Sequence, residues 1–80
     1  MDRKWCLLKA SDGGRGDQGK KKVYEVIVTD NVLRCEWGMA EKLSRQSSTK
    51  VFMTSQSAVW AAHEKVSAKL GRGYTIAYAV

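Results

Sequence analysis

Apolar side chains recur at every second position in three stretches of the chain and at helical spacing in one. Between Val23 and Thr29, Tyr24, Val26 and Val28 share one face while Val23, Glu25 and Ile27 share the other. Asp30-Asn31 follows, and both residue types tolerate positive φ, so the spacing predicts a two-residue turn and a hairpin. Val32 to Trp37 then returns, with Leu33, Cys35 and Trp37 on one face and Val32, Arg34 and Glu36 on the other. Arg34 and Glu36 point the same way, so a local ion pair is expected. Tyr74, Ile76, Tyr78 and Val80 alternate as a closing strand. Trp5 to Lys9 reads as a first strand and Thr49 to Met53 as a further antiparallel one. Gly38 is expected to end its strand, leaving Met39 to Ser48 as a polar connection.

The helical segment begins where Thr54 or Ser55 can cap it and runs to Leu70, closed by Gly71. Val59, His63, Val66 and Leu70 fall within about 60° of one another on a helix, with Ala62 flanking, so they form the expected core face. His63, the one histidine, is accordingly expected to be packed. Residues 11–22 form an expected flexible Gly/Lys-rich loop. The predicted fold class is α+β, an antiparallel sheet of four to five strands packed on a single α-helix, with residues 1–80 as one domain. At this length a chain buries only about 60% of its unfolded surface, so one sheet under one helix is near the limit.

Charge adds a partner to this picture. The formal net charge is +6, and its distribution is uneven. Residues 1–22 carry seven Lys/Arg against three acids, 23–37 one against three, and 38–80 six against two. The excess avoids the central hairpin and gathers in loops and on the helix, a footprint suited to a polyanion whose condensed counterions are released on binding. No apolar run approaches the roughly 18 residues of a membrane span, and the N-terminus lacks the h-region of a signal peptide, so a cytoplasmic protein without membrane partners is expected. Cys6 and Cys35 each lie in an apolar strand-like run and read as small buried thiols. Nothing in their spacing demands a disulfide.

Lys22-Val23-Tyr24, then Trp37-Gly38 at a strand end, then a helix ending in Lys69-Leu70-Gly71-Arg72-Gly73-Tyr74 follow one another in an order that resembles the WGR domain. That small module is found beside the catalytic part of poly(ADP-ribose) polymerases and as short bacterial proteins. The resemblance covers roughly Lys21 to Tyr74 and implies a WGR-like sheet and helix that bind DNA, strand ends among its targets. Lys22 aligns with a family Lys, and Lys21 replaces the Asn before it. Periodicity makes Trp37 a core residue, whereas the resemblance implies a strand-end ring that can pack against the terminal sugar at a DNA break, with Gly38 making a tight turn or permitting close backbone approach. Lys69 and Tyr74 match a helix-end Lys and the aromatic after it, read here as structural. Met39 stands where the family has Arg. Methionine offers neither charge nor planar fork, which implies a chain with no catalytic neighbour to signal to.

From the residues themselves, Lys20-Lys21-Lys22 before a strand is suited to clamping phosphate. So are Lys42, Arg45 and Lys50, which flank a connection containing Ser44, Ser47 and Ser48. The expected nucleic-acid contacts are therefore Lys21, Lys22, Trp37, Gly38, Lys42, Arg45 and Lys50.

Signals for chemistry are weak. Gly14 to Gly19 matches G-x-G-x-x-G, but a dinucleotide site needs a helix to open straight after it, and here lysines and a strand follow. No Ser or Cys has a claim to pair with His63 as a nucleophile, and no two carboxylates share a motif. With no Cys-x-x-Cys, a metal site is not expected. The expectation is a non-catalytic nucleic-acid-binding module, DNA before RNA, without metal, cofactor or small-molecule substrate. The alternative is a protein-interaction adaptor that keeps the fold without the DNA role, for which Met39 is the best support.

Overall fold

A two-residue turn between two alternating runs fixes their register, and the hairpin follows it: β2 (Lys21–Thr29) pairs antiparallel with β3 (Val32–Met39), Thr29 opposite Val32 and Tyr24 opposite Trp37. The computed structural model of the protein describes residues 2–10, 21–39 and 45–80. Of the two turn residues only Asp30 takes a positive φ, 53°. The other elements are β1 (Asp2–Ala10), β4 (Gln46–Val51), α1 (Ser55–Leu70) and β5 (Thr75–Ala79). They form a five-stranded antiparallel sheet of order β4-β3-β2-β1-β5 packed against a single helix, an α+β arrangement as the periodicities predict. β4 and β5 lie on opposite edges, so α1 must cross the sheet to join them.

Four expectations are corrected. Gly38 does not end its strand but sits inside β3 opposite Val23, because β2 extends to Lys21 and carries the ladder past it. β4 starts at Gln46 rather than Thr49 and stops at Val51 rather than Met53. Its six residues are all exposed, so it has no buried face to leave an apolar alternation in the sequence. Lys21 and Lys22, placed in the loop by composition, are the first residues of β2. The fourth correction concerns the helix. Its buried stripe is Ala58, Ala62 and Val66, while Leu70 and His63 are exposed, the imidazole resting against the Trp5 ring at 5.2 Å. The stripe is turned by one residue from that read in the sequence. Alanine lets the helix backbone approach the sheet closely, which the larger Val59 and Leu70 would prevent.

Thr54 caps α1: its φ of −137° is non-helical and its Oγ1 accepts the Ser57 N–H at 3.1 Å, a contact worth about 1 kcal/mol. The core between the layers is built from Trp5, Leu7, Tyr24, Val26, Val28, Leu33 and Cys35 under the helix stripe. Cys35 faces the helix, whereas Cys6 pairs opposite Glu25 on the other face. Both are buried free thiols, and their opposite faces keep them apart.

On the face away from α1, Glu25 collects two cations, Lys4 Nζ at 3.3 Å and Arg45 Nη1 at 3.0 Å, and Arg34 pairs with Glu36 at 3.0 Å as the alternation predicts. Burial pushes the Glu25 carboxyl up, but the hydrogen bonds and charges of Arg45 and Lys4 outweigh it and hold the group below its ordinary value of 4.5. A depressed carboxylate stabilises the fold above its unfolded-state value and loses that contribution as pH falls through the folded one. Glu25→Gln should therefore be less stable than the native chain at neutral pH and lose less stability between roughly pH 5 and pH 3. Urea titrations across that range measure it, and parallel stability–pH curves would assign the acid sensitivity elsewhere.

Candidate functional site

The end of the sheet that holds Lys9, Lys22 and Met39 receives the C-terminus of α1. Continuing the buried stripe from Ala58, Ala62 and Val66 by three residues reaches Lys69, so a lysine occupies the last inward-facing position of the helix. Its Nζ lies over the Tyr24 ring at 4.4 Å and 5.7 Å from the centre of Tyr74. Tyr24 stacks on Trp37 at 5.9 Å with an interplanar angle of 17° and meets Tyr74 edge-on at 6.3 Å. Lys9 Nζ also lies over the Tyr74 ring, at 5.8 Å. A groove of about 430 Å³ runs over these rings, bordered by Lys22, Tyr24, Trp37, Gly38, Lys69 and Tyr74.

Each part has a local cause. Register places Trp37 opposite Tyr24, and its indole Nε1–H donates to Gln46 Oε1 at 3.1 Å, which fixes the ring at the strand end. Tyr74 is delivered by the helix exit. Gly71 is still right-handed, and the reversal comes at Gly73, whose φ is 98°. The Tyr74 N–H then donates back to the Lys69 carbonyl at 3.1 Å, closing the last turn in the manner of a Schellman cap. A Cβ at Gly73 would meet the Lys9 side chain at ordinary contact distances, Cε at 3.5 Å and Nζ at 4.0 Å, so the demand for glycine is conformational. Gly73→Ala should cost roughly 1–2 kcal/mol, seen as a Tm lowered by on the order of 5–10 °C. An unchanged Tm would mean that the exit relaxes without cost.

The electrostatics of the groove are one-sided. Burial, then the charges of Arg72 and Lys65, with a weaker push from Lys9, depress the Lys69 ammonium below its ordinary value. Burial first, and then the nearby Cys35 and Tyr74, push the Tyr24 phenol up to about 12, so it remains a neutral donor. None of the residues bordering the groove is acidic. The helix C-terminus contributes about half a negative charge, and the whole charges of Lys9, Lys22, Lys69 and Arg72 outweigh it.

Of the seven residues expected from the sequence, Lys22, Trp37 and Gly38 come together here. Lys21 is exposed and turned to the opposite face. Arg45 is held by Glu25 on that same face. Lys50 lies opposite Leu33, four residues or about 13 Å along β3, with its Nζ over the Phe52 ring at 5.2 Å. Lys42 and the 11–20 segment, with its glycine motif, lie outside the described residues. Tyr24 and Lys9 were not expected here, and Lys69 and Tyr74 were expected only as structural residues. The hairpin register could have found Tyr24, because counting outward from Asp30-Asn31 puts it beside Trp37.

This antiparallel α+β layout, with a basic aromatic groove at one end, is what the chain itself establishes. No family model, no curated protein and no solved structure matches it. Among the described residues there is no cluster of three or more His, Cys, Asp and Glu side chains able to hold a metal ion, and no helix is long and apolar enough to cross a membrane.

Proposed function

We propose that this chain is a non-catalytic nucleic-acid-binding module of the WGR type, acting on DNA before RNA and at strand ends among other targets. The observation that carries the reading is the Lys69–Tyr24–Trp37 stack with Lys22 at its rim. Lysines supply phosphate contacts that are indifferent to sequence. Trp37 stacks on Tyr24 and borders the groove, where its ring can meet a sugar or base at roughly 1–3 kcal/mol per stacked group. The free thiols suit a reducing compartment, and a cytoplasmic location is part of the proposal.

Affinity should lie at roughly 10⁻⁴ to 10⁻⁶ M at physiological salt and fall steeply as salt rises. It should also weaken at alkaline pH, as the Lys69 amine, lowered by burial and by the charges of Arg72 and Lys65, loses the proton that phosphate meets, and Lys69→Arg should remove that dependence. Titration of a labelled duplex at low salt, with linear and closed-circular DNA as competitors, tests the reading. Trp37→Ala should remain folded and lose affinity for ends more than for circles. No binding of DNA or RNA at low salt would overturn the proposal in favour of a protein-interaction adaptor.

A further inference from the structure

We propose that a second groove, between α1 and β4, continues the Trp37 groove as a trough for a single-stranded tail, with an unpaired base stacked on Trp60. The proposal rests on the nucleic-acid reading above and adds that an overhang at the bound end raises affinity. This second groove, of about 930 Å³, is walled by Leu33, Phe52, Trp60 and Ala61, and Lys50 and Lys65 also border it. Trp60 is 69% exposed, so its ring does little for the fold. Its Nε1–H donates to Glu64 Oε1 at 3.1 Å, which tethers the indole and engages the acid of the groove. A tethered, exposed indole is a stacking platform for bases of any sequence, because every base has a π-face.

The two grooves meet at the end of α1, where Ala68 borders one and Lys69, the next residue, borders the other. On β3 they are marked by Leu33 and Trp37, four residues or about 13 Å apart. Along β4 the same face carries Lys50 opposite Leu33, Ser48 opposite Cys35 and Gln46 opposite Trp37, so only a small hydroxyl lies between the two ends. At roughly 3.4 Å per stacked nucleotide that span suits about four, and fewer when the strand is extended. The occupant follows from charge and ring together. Lys22, Lys50, Lys65 and Lys69 border the two grooves against one acid, Glu64, which already bonds Trp60. An apolar peptide would leave those lysines without a counter-charge, whereas a phosphate backbone supplies one. A duplex keeps its bases stacked on one another and offers no base face to Trp60. An unpaired tail does.

The test uses the ¹⁵N-labelled protein and DNA hairpins whose single open end is blunt or carries a 5′ or 3′ overhang of about four nucleotides. With the blunt hairpin the Trp37 indole should shift and the Trp60 indole should stay. With an overhang of one polarity Trp60 should shift as well, and affinity at low salt should rise at least about fivefold, the lower end of what one stacked base contributes. Trp60→Ala should abolish that gain and bind the blunt hairpin as the native chain does. If Trp60→Ala does not fold, the Trp60 shift in the native chain decides. The proposal is overturned if Trp37 shifts with every hairpin while Trp60 stays and neither overhang binds more tightly, an outcome that leaves the end-binding reading in place. It is also overturned by a gain that Trp60→Ala retains, or by an equal Trp60 shift with the blunt hairpin. A neutral leucine-rich peptide that shifts Trp60 at lower concentration than the overhang would overturn it too, and would assign the groove to a protein partner. No shift of either indole with any hairpin would sink the nucleic-acid reading itself, and this extension with it.

Discussion

With glutamate in place of Ala62, the chain is expected to be largely unfolded at 25 °C. Ala62 is 0% exposed at the centre of the helix stripe, above a sheet face whose Leu7, Val26 and Val28 are also fully buried. Two penalties combine. The longer side chain must push the helix off the sheet, at typically 1–3 kcal/mol for overpacking. Its carboxylate would also be buried without a partner, which costs several kcal/mol or forces protonation. A small domain has only about 5–15 kcal/mol in total. Far-UV circular dichroism with thermal melting measures this, and a cooperative transition within a few degrees of native would mean that the helix does not rest on its alanines. Trp60→Ala, on the exposed side of the same helix, should change stability by no more than about 0.5 kcal/mol.

The second large effect concerns binding. Lys22→Ala with Lys69→Ala is expected to lower affinity for duplex DNA about equally for all sequences, and to reduce the slope of log affinity against log salt by about 2. Both lysines border the groove, whereas Lys21 and Arg45 lie on the opposite face, Arg45 bound to Glu25. Lys21→Ala with Arg45→Ala should therefore have the smaller effect on DNA, and the loss of Arg45 should appear instead as lower stability at neutral pH with a shallower loss on acidification, through Glu25. Equal salt slopes for the two double variants would mean that the groove is not where phosphate is held. Lys69 also sits over Tyr24, so its variant needs a melting curve beside the binding curve to show that the groove is intact.

The hairpin is legible in the sequence because β2 and β3 bury the middle of one face, Tyr24, Val26 and Val28 against Leu33 and Cys35, and burial imposes alternation there. The turn at Asp30-Asn31 fixed their register. β4 left no such trace, since all its residues are exposed and backbone hydrogen bonds impose no side-chain pattern. Large apolar residues do not mark the helix face, because a helix lying close on a sheet needs Ala58 and Ala62 inward. One residue of rotation likewise makes Lys69, expected as a structural residue, the last member of the inward stripe. The candidate site was half legible. Lys22, Trp37 and Gly38 stand at positions that the WGR resemblance marks, whereas Arg45 and Lys50 share a stretch of chain with no shared face. Charge counted along the sequence does not say which side of a sheet it will occupy.

The proposed role of the groove is tested most directly by following the three indole Nε1–H resonances while blunt duplex DNA is added at low salt. Trp5 is 8% exposed beneath the helix, Trp60 is fixed to Glu64 near the β4 edge, and Trp37 alone borders the basic aromatic groove. The account predicts that the Trp37 resonance shifts progressively, that those of Trp5 and Trp60 stay in place, and that added salt reverses the change. A shift of Trp60 with Trp37 unmoved, or no shift of any indole at DNA concentrations well above roughly 10⁻⁴ M, would contradict it.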